Sequence, residues 1–360
     1  MDPLDAADLR QRVQATLDAE LVHQGEVLAE LGPDVSDLVS AIATLLQGGK
    51  RLRAGFLYWG YRAAGGADSA ALVRAASAME MFQAAALIHD DVMDDSDTRR
   101  GQPAAHRAFA AWHTERGWEG AADRFGLAGA ILAGNLCLNW TEELYATSGL
   151  PVEALARGRG VFDRMRTQLM GGQFLDVVES FRPWADLGVD ERVARARRVI
   201  AYKSAKYTIE HPLLIGASAG GLGVEALAGL SAYGLDLGTA FQLRDDLLGV
   251  FGDPVTTGKP AGDDLREGKR TVLLAYALDG ASRDGRVLLG RFVGMPDLSG
   301  VEVDALREVI AGSGAVERVE ADIATLADAA TQSLAQVSGL DEEARAALAQ
   351  LVSLTTARDA

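Results

Sequence analysis

Apolar residues recur at helical spacing along almost the whole of this chain, and this pattern restricts the fold more than any other feature of the sequence. Gly and Pro separate the apolar stretches, no run of period-two alternation predicts a strand, and β-branched residues are sparse. The pattern predicts helices over about residues 4–31, 68–95, 126–148, 152–180, 188–222, 224–251 and 270–293, with a last group over 303–357. We therefore predict an all-α fold in which residues 1–360 form a single domain, a large helical bundle.

The composition narrows the classes of function. The chain has 360 residues, of which 48% are hydrophobic, so it can bury a large core, and its net charge of −16 argues against general nucleic-acid binding. Cys137 is the only cysteine, which excludes an internal disulfide and a zinc site built from several cysteines. The first residues lack the basic start and apolar run of a signal peptide, and the uncharged residues 125–141 are better explained by a buried helix than by a membrane span. We expect a cytoplasmic enzyme without an integral membrane segment.

Two aspartate clusters lie about half a chain apart. In the first cluster, Asp90 and Asp94 are four residues apart and share one helix face, where they can hold one or two cations. Asp91 points about a quarter-turn away and would act from the side or through water. The second cluster offers Asp245 and Asp246. Carboxylates this close repel one another unless a cation neutralises them, and a hard divalent cation such as Mg²⁺ prefers oxygen ligands. A solvated acidic helix end is the alternative explanation of the first cluster.

Cationic residues accompany both clusters in three groups. Each of them alone is more typical of an exposed surface residue or a basic helix start, so only their joint occurrence indicates a site for phosphate. The three groups are Lys50 and Arg53 after a glycine pair; Arg99 and Arg100 after the first cluster; and Lys203, Lys259 and Lys269 in the second half of the chain. Together with the carboxylates they predict a polyanionic phosphate ester that binds with Mg²⁺.

The order of these motifs resembles that of the trans-isoprenyl diphosphate synthases. The shared motifs run from Gly48-Gly49-Lys50-Arg51-Leu52-Arg53 through Asp90-Asp91-Val92-Met93-Asp94, Arg99-Arg100-Gly101, Gly172-Gln173-Phe174-Leu175-Asp176 and Tyr202-Lys203-Ser204 to Phe241-Gln242-Leu243-Arg244-Asp245-Asp246, Gly258-Lys259 and Gly268-Lys269. They cover about residues 45–275. The resemblance implies an isoprenoid synthase-like bundle around a deep central cavity and a homodimer. It also implies the Mg²⁺-dependent head-to-tail condensation of isopentenyl diphosphate with an allylic diphosphate.

The resemblance also implies roles for single residues. Asp90 and Asp94 correspond to the ligands of two Mg²⁺ ions and Asp245 to the main ligand of a third. The residues that correspond to the allylic diphosphate site are Arg99, Lys203 and Lys259, with Lys269 as a helper; those of the isopentenyl diphosphate site are Lys50, Arg53, Arg100 and Gln83; and those that face the developing carbocation are Gln242 and Ser204.

Three positions depart from the family pattern. Gly249 replaces the usual last Asp of the second cluster, Asn135 stands where an Asp is common, and Ser204 replaces a Thr. We expect Gly249 to weaken activity at most, because the missing carboxylate would act through water. A class I terpene cyclase and a non-catalytic partner subunit remain alternatives. The first would not need the Lys50, Arg53 and Arg100 group, and the second normally loses the first aspartate cluster.

The product length depends on the residues before Asp90. Ala85 and Ala86 stand where a bulky aromatic residue in the family stops chain growth near farnesyl, so alanine leaves the cavity open. Phe82 lies eight residues before Asp90, about 12 Å along a helix, and is the first large side chain that can close the cavity. We therefore expect geranylgeranyl diphosphate as the product, with a longer polyprenyl or a farnesyl diphosphate as alternatives. Phe82 could equally serve only core packing.

Overall fold

The computed structural model describes residues 2–184, 186–252 and 262–356. Nearly all of the regular structure in these residues is helical, which confirms the predicted all-α class. The helices are α1 (Leu9–Ala29), α2 (Ser36–Leu46), α3 (Leu52–Ala63), α4 (Ala70–Met93), α5 (Ala105–Glu115), α6 (Ala122–Ala146), α7 (Val152–Phe181), α8 (Val189–Val199), α9 (His211–Gly220), α10 (Val224–Phe251), α11 (Asp263–Glu267), α12 (Val272–Gly280), α13 (Arg283–Phe292), α14 (Gly300–Gly312), α15 (Ala315–Gln336) and α16 (Glu342–Thr356).

Three shorter features interrupt the helices. The chain between α8 and α9, Ile200–Glu210, is a π-helix, and 3₁₀ turns form at Ala6–Asp8 and Pro33–Val35. Two-residue strands β1 (Thr98–Arg99) and β2 (Gln102–Pro103) form an antiparallel hairpin. The sequence pattern predicted neither the π-helix nor the hairpin, nor the short helices α2, α3 and α5.

The contacts divide the chain into two compact units. Unit 1 consists of Met1–Gly158 and Ile215–Gly221, and unit 2 of Arg159–Leu214 and Leu222–Ala360. The single-domain organisation stays a prediction.

Helix α4 forms the centre of unit 1 and packs against α1, α3 and α6. Its N-cap residue is Ser69, whose hydroxyl accepts a hydrogen bond from the backbone N–H of Leu72 at 3.1 Å and so satisfies one of the unpaired donors of the first turn. Most of the helix is buried, and its buried residues are largely small and apolar, including Ala85 near Asp90.

Among the described residues, α4 is also the one helix long and apolar enough to cross a membrane. However, 72% of its most apolar window is buried inside the protein, and the core helices of many globular proteins are equally apolar.

Helix α10 forms the centre of unit 2 and packs against the π-helix and α15. Its apolar face joins a continuous core with residues of α11 and α14, including Leu247, Leu265 and Val303. This core fixes α11 against the C-terminal half of α10, which carries the second aspartate cluster.

Candidate active site

The first aspartate cluster lies at the C-terminal end of α4. Asp90 and Asp94 are half-buried, and the backbone N–H of Asp94 donates to the Asp90 carbonyl at 2.8 Å, which keeps the two residues on one face through the last helical turn. Asp95 has a left-handed φ of 53° and ends the helix. The C-terminus of a helix carries a partial negative charge, which disfavours carboxylates in the last turn unless a cation neutralises them. A cation bound between these carboxylates would offset this cost, and the assignment of Asp90 and Asp94 as its ligands stays a prediction.

Asp91 is buried and holds an arginine. Its Oδ1 accepts hydrogen bonds from both Nε (2.9 Å) and Nη2 of Arg99, and the same guanidinium lies 3.9 Å from the Asp90 carboxylate. The side chain of Asp91 is only 2% exposed, so this contact satisfies a charge that would otherwise be costly to bury. Asp91 therefore orients Arg99 beside the first cluster. Its catalytic role, from the side or through water, stays a prediction.

The hairpin directs Arg99 and Arg100 to different partners. Arg99 ends β1, whereas Arg100 and Gly101 form the two-residue turn with φ values of 54° and 73°, as in a type I′ turn. Arg99 reaches Asp91, while Nη1 of Arg100 donates to the carbonyl of Leu45 at 2.9 Å. The two neighbouring arginines therefore contact different helices of unit 1, Arg99 the end of α4 and Arg100 the end of α2.

Arg100 joins a cluster of cations. Its guanidinium lies against Gly49, where an added Cβ would be 3.3 Å from Nη2, and with Gln83 it lines a narrow crevice. Desolvation lowers the pKa of Arg100, and the nearby guanidinium groups of Arg51, Arg53 and Arg99 lower it further, although Glu80 opposes them. Crowded cations of this kind favour an anionic ligand. Arg53 and Gln83 therefore both lie near Arg100, and Lys50 is exposed on the adjoining loop. The role of these four residues in binding isopentenyl diphosphate stays a prediction.

Arg51 is the cation of this loop that sequence reasoning did not separate from its neighbours. It is buried and makes an ion pair with Glu80 at 3.5 Å. The other oxygen of Glu80 accepts a hydrogen bond from the backbone N–H of Ala54 at 3.0 Å. This pair fixes the start of α3, and hence the position of Arg53, so its role is structural.

In unit 2, two glycines let α10 approach the π-helix closely. A Cβ at Gly238 would lie 2.7 Å from the backbone of Ala205, and one at Gly234 would lie 2.7 Å from that of Glu210. Gln242 is one helical turn further along the same face of α10. The close approach places Gln242 against Ser204, whose hydroxyl donates to Oε1 of Gln242.

This contact continues into the second aspartate cluster. Nε2 of Gln242 donates to Oδ1 of Asp246 at 2.8 Å. The chain of hydrogen bonds from Ser204 through Gln242 to Asp246 fixes the orientation of the Gln242 amide. The predicted neighbours Ser204 and Gln242 are thus together.

Lys203 is held by the motif that precedes it in the sequence. Its ammonium group makes an ion pair with Asp176 of α7, and both side chains are largely buried. A Cβ at Gly172 would lie 2.4 Å from the carbonyl carbon of Tyr202, so α7 can pack this closely on the π-helix only without a side chain there. Asp176 belonged to a recognised motif but received no role from the sequence.

The carboxylates of the second cluster repel one another. The pKa of Asp246 is raised to about 8, mainly by burial and also by the charges of Asp264 and Asp245, while the hydrogen bond from Gln242 and the charge of Lys269 oppose the rise. Oδ2 of Asp246 is buried and finds no hydrogen-bond partner among the described residues. An unsatisfied buried carboxylate oxygen in an all-oxygen donor set fits a hard divalent cation.

Asp264 is the residue of this site that the sequence reasoning missed. The only signal for it is an acidic pair, Asp263-Asp264, before the recognised Gly268-Lys269. Nζ of Lys269 lies 3.3 Å from Oδ1 of Asp264, and its role as a helper at the allylic diphosphate site stays a prediction. Lys259 lies outside the described residues.

The described residues contain no group of three His, Cys, Asp or Glu side chains that could hold a metal ion by themselves. A cation bound at either cluster would therefore need further oxygen ligands. Mg²⁺ sites are often completed in this way by water and substrate phosphates.

The three residues predicted to control product length differ in burial. Phe82 is 1% exposed and Ala85 is fully buried, whereas Ala86 is half-buried. Ala86 is therefore the member of the set whose side chain can be enlarged with least disturbance of the core. The role of all three in chain length stays a prediction.

Comparison with known proteins places these motifs in context. The polyprenyl synthetase family model matches residues 36–308. A geranylfarnesyl diphosphate synthase from Aeropyrum pernix is 32% identical over 316 residues, 86% of this chain and 91% of that protein. A geranylgeranyl diphosphate synthase from Mycobacterium tuberculosis is 32% identical over 295 residues, 78% of this chain and 75% of that one. The crystal structure of a geranylgeranyl pyrophosphate synthase from Corynebacterium glutamicum, complexed with isoprenyl diphosphate and magnesium, is 41% identical and covers 98% of this chain and 99% of its own, with a TM-score of 0.91.

Proposed function

This chain belongs to the polyprenyl synthetase family, and we propose that it condenses isopentenyl diphosphate with an allylic diphosphate to form geranylgeranyl diphosphate in the presence of Mg²⁺. The observation that carries the proposal is the presence, in one chain, of two aspartate clusters that each lie beside a separate group of cations. A class I terpene cyclase would need only one diphosphate site, and a non-catalytic subunit would not need the intact first cluster.

The chemistry requires that the allylic C–O bond ionise and that the resulting cation react before water quenches it. When bound, Mg²⁺ stabilises the negative charge of the diphosphate leaving group. We assign Asp90, Asp94 and Asp245 to about three such ions. We assign Arg99, Lys203 and Lys269 to the leaving diphosphate, because each is already held in place by a carboxylate of this chain.

The developing carbocation needs oriented dipoles that do not react with it. The amide oxygen of Gln242 and the hydroxyl of Ser204 are held in one hydrogen-bond chain, which supports their assignment to the cation. The crevice beside Gln83 and Arg100, with the charge of Arg53 close to Arg100, supports the assignment of isopentenyl diphosphate to unit 1. We assign Lys50, on the exposed loop before α3, to the same diphosphate.

The test uses the purified chain alone, with Mg²⁺, isopentenyl diphosphate and, in separate reactions, dimethylallyl, geranyl and farnesyl diphosphate. Mass spectrometry of the products should show a C20 prenyl diphosphate as the main end product. A cyclised hydrocarbon formed without isopentenyl diphosphate would identify a cyclase instead. The absence of any condensation product would contradict the proposal.

The length of the product is tested on α4. Ala86→Phe places a ring on the half-buried side of the helix, about one turn before Asp90, and should shorten the product. Phe82→Ala removes the buried ring and should lengthen it. Ala70→Phe, exposed at the start of the same helix, is the control and should change nothing. An unchanged product distribution in both active variants would mean that chain growth stops elsewhere.

A longer product is the second candidate, since the relative from Aeropyrum pernix is a geranylfarnesyl diphosphate synthase. A C25 main product in the same assay would support it. The control of chain length would then have to lie beyond Phe82.

We further propose that the enzyme is a cytoplasmic homodimer. Leu127, Ile131 and Leu132 on α6 are between 39% and 56% exposed and form an apolar ridge at helical spacing, which a second copy could cover. Light scattering after gel filtration should give twice the mass of one chain, and Ile131→Asp should reduce it to one. A monomeric wild type would contradict the dimer.

A further inference from the structure

The second aspartate cluster lacks its third carboxylate within α10, but another carboxylate lies in the vacant place. Gly249 is one helical turn after Asp245, where a side chain would face the same side. A Cβ at Gly249 would lie 2.0 Å from Oδ2 of Asp264 and 2.5 Å from its Cγ. The Asp264 carboxylate therefore occupies the volume that a side chain at position 249 would need.

Asp264 is firmly positioned there by α11. Leu265 is buried in the core shared with Leu247, and its carbonyl accepts a hydrogen bond from the backbone N–H of Gly294 at 2.8 Å. The side chain and the backbone of Leu265, the residue next to Asp264, therefore both hold α11 in place. Nζ of Lys269 lies 3.3 Å from Oδ1 of Asp264 and also pairs with Glu267, while Oδ2 of Asp264 is directed toward Gly249 of α10.

A second observation indicates that this group of carboxylates is built for a ligand. Asp246 is 6% exposed, and its Oδ2 finds no hydrogen-bond partner among the described residues, although Oδ1 is satisfied by Gln242. A buried acceptor of this kind is rare in proteins and costs free energy unless a ligand satisfies it. A salt bridge between Asp264 and Lys269 alone would leave this atom unexplained.

We propose that Asp264, from α11, supplies the carboxylate that the second cluster lacks at Gly249. With Asp245 and Asp246 it would hold a divalent cation, mainly through the water molecules of the cation, and water and substrate phosphates would complete the oxygen ligands that the described residues alone do not supply. The inference rests on the proposed function, since it names a ligand for the same diphosphate-bound metal. The second cluster would then bind its cation with two carboxylates from α10 and a third from α11.

The experiment counts metal ions and does not depend on turnover. Mn²⁺ is titrated into the full-length protein with inorganic diphosphate present, and free Mn²⁺ is followed by electron paramagnetic resonance. Asp264→Asn keeps the size of the side chain and should weaken one bound Mn²⁺ by about 10- to 100-fold while the other ions stay unchanged. Asp263→Asn, the same change one residue earlier, is the control and should bind as the wild type does.

Moving the carboxylate back gives the sharper test. Gly249→Asp alone should lower the midpoint of thermal unfolding, because its Cβ overlaps Asp264 and adds a like charge. Gly249→Asp combined with Asp264→Ala should recover both the unfolding midpoint and the Mn²⁺ affinity that Asp264→Ala alone loses. Wild-type Mn²⁺ binding by Asp264→Asn and Asp264→Ala would overturn the inference. Prenyl transfer is assayed separately. If the wild type shows no prenyl transfer but the Asp264 variants bind Mn²⁺ more weakly than the wild type does, the proposed function is wrong and Asp264 is still a metal ligand.

Discussion

We expect that adding a single methyl group at Gly172 disturbs the packing of α7 on the π-helix that carries Lys203. A Cβ at Gly172 would lie 2.4 Å from the carbonyl carbon of Tyr202 and 2.5 Å from the backbone nitrogen of Lys203. Ordinary contacts of this kind are about 3.5 Å or more, so Gly172→Ala must separate α7 from the π-helix by about 1 Å. The contact that gives way includes the ion pair between Lys203 and Asp176.

The size of the effect follows from a neighbouring glycine. Gly171 lies in the same helix, and nothing lies within 4 Å of a Cβ placed there. Both substitutions gain about 1 kcal/mol of helix propensity, whereas only Gly172→Ala adds an overpacking cost of about 1–3 kcal/mol. The difference in unfolding free energy between the two variants therefore isolates the cost of separating the helices.

Two measurements check this reasoning. In urea unfolding, the free energy of unfolding of Gly171→Ala should exceed that of Gly172→Ala by about 1–3 kcal/mol. Steady-state kinetics should show that Gly172→Ala lowers kcat/KM for the allylic diphosphate by up to about 100-fold, because a misplacement of about 1 Å at a positioned group can have that effect. If Gly172→Ala is as stable and as active as Gly171→Ala, the close approach does not position Lys203.

Three further outcomes follow from the structure. Asp90→Ala should lower turnover by several orders of magnitude with an unchanged circular dichroism spectrum, because a metal-stabilised leaving group contributes several kcal/mol; near-normal turnover would refute the assignment. Arg100→Ala should mainly raise KM for isopentenyl diphosphate and Lys203→Ala that for the allylic substrate, and equal effects on both substrates would refute the two-site assignment. Burial lowers the pKa of His211 from 6.5 to about 4, so between these values the unfolded chain binds a proton that the folded chain does not, and stability falls as the pH falls through this window. The free energy of unfolding in urea should therefore fall less between pH 7 and pH 4.5 in His211→Gln than in the wild type, by up to about 3 kcal/mol. His23→Gln, at an exposed site, should show the same fall as the wild type.

The sequence predicted the parts of the site that depend on spacing within one helix. Asp90 and Asp94 share a face because four residues make about one helical turn, and the structure keeps them so. The apolar periodicity also predicted the long core helices α4, α6 and α10 to within a few residues. Such features depend only on neighbours along the chain.

Features that depend on neighbours in space were not predictable in this way. The π-helix at Ile200–Glu210 carries Lys203 and Ser204, yet its residues fit the ordinary helical period as well as any others. Its position against α7 and α10 depends on Gly172 and Gly238, whose importance is visible only when the opposing backbone is known. Asp264 was overlooked for the same reason, since no spacing along the chain connects it with Gly249.

The hairpin shows how a local turn can separate two identical side chains. In a continued helix, Arg99 and Arg100 would point about 100° apart and both would remain near the end of α4. The type I′ turn instead leaves Arg99 on β1 beside Asp91 and carries Arg100 to the carbonyl of Leu45. Arg100 adopts a left-handed backbone conformation that is unfavourable for an arginine, and a strained residue at such a place is typical of a functional site. The turn thus separates the two cations, as the proposed assignment of Arg99 and Arg100 to different diphosphates requires.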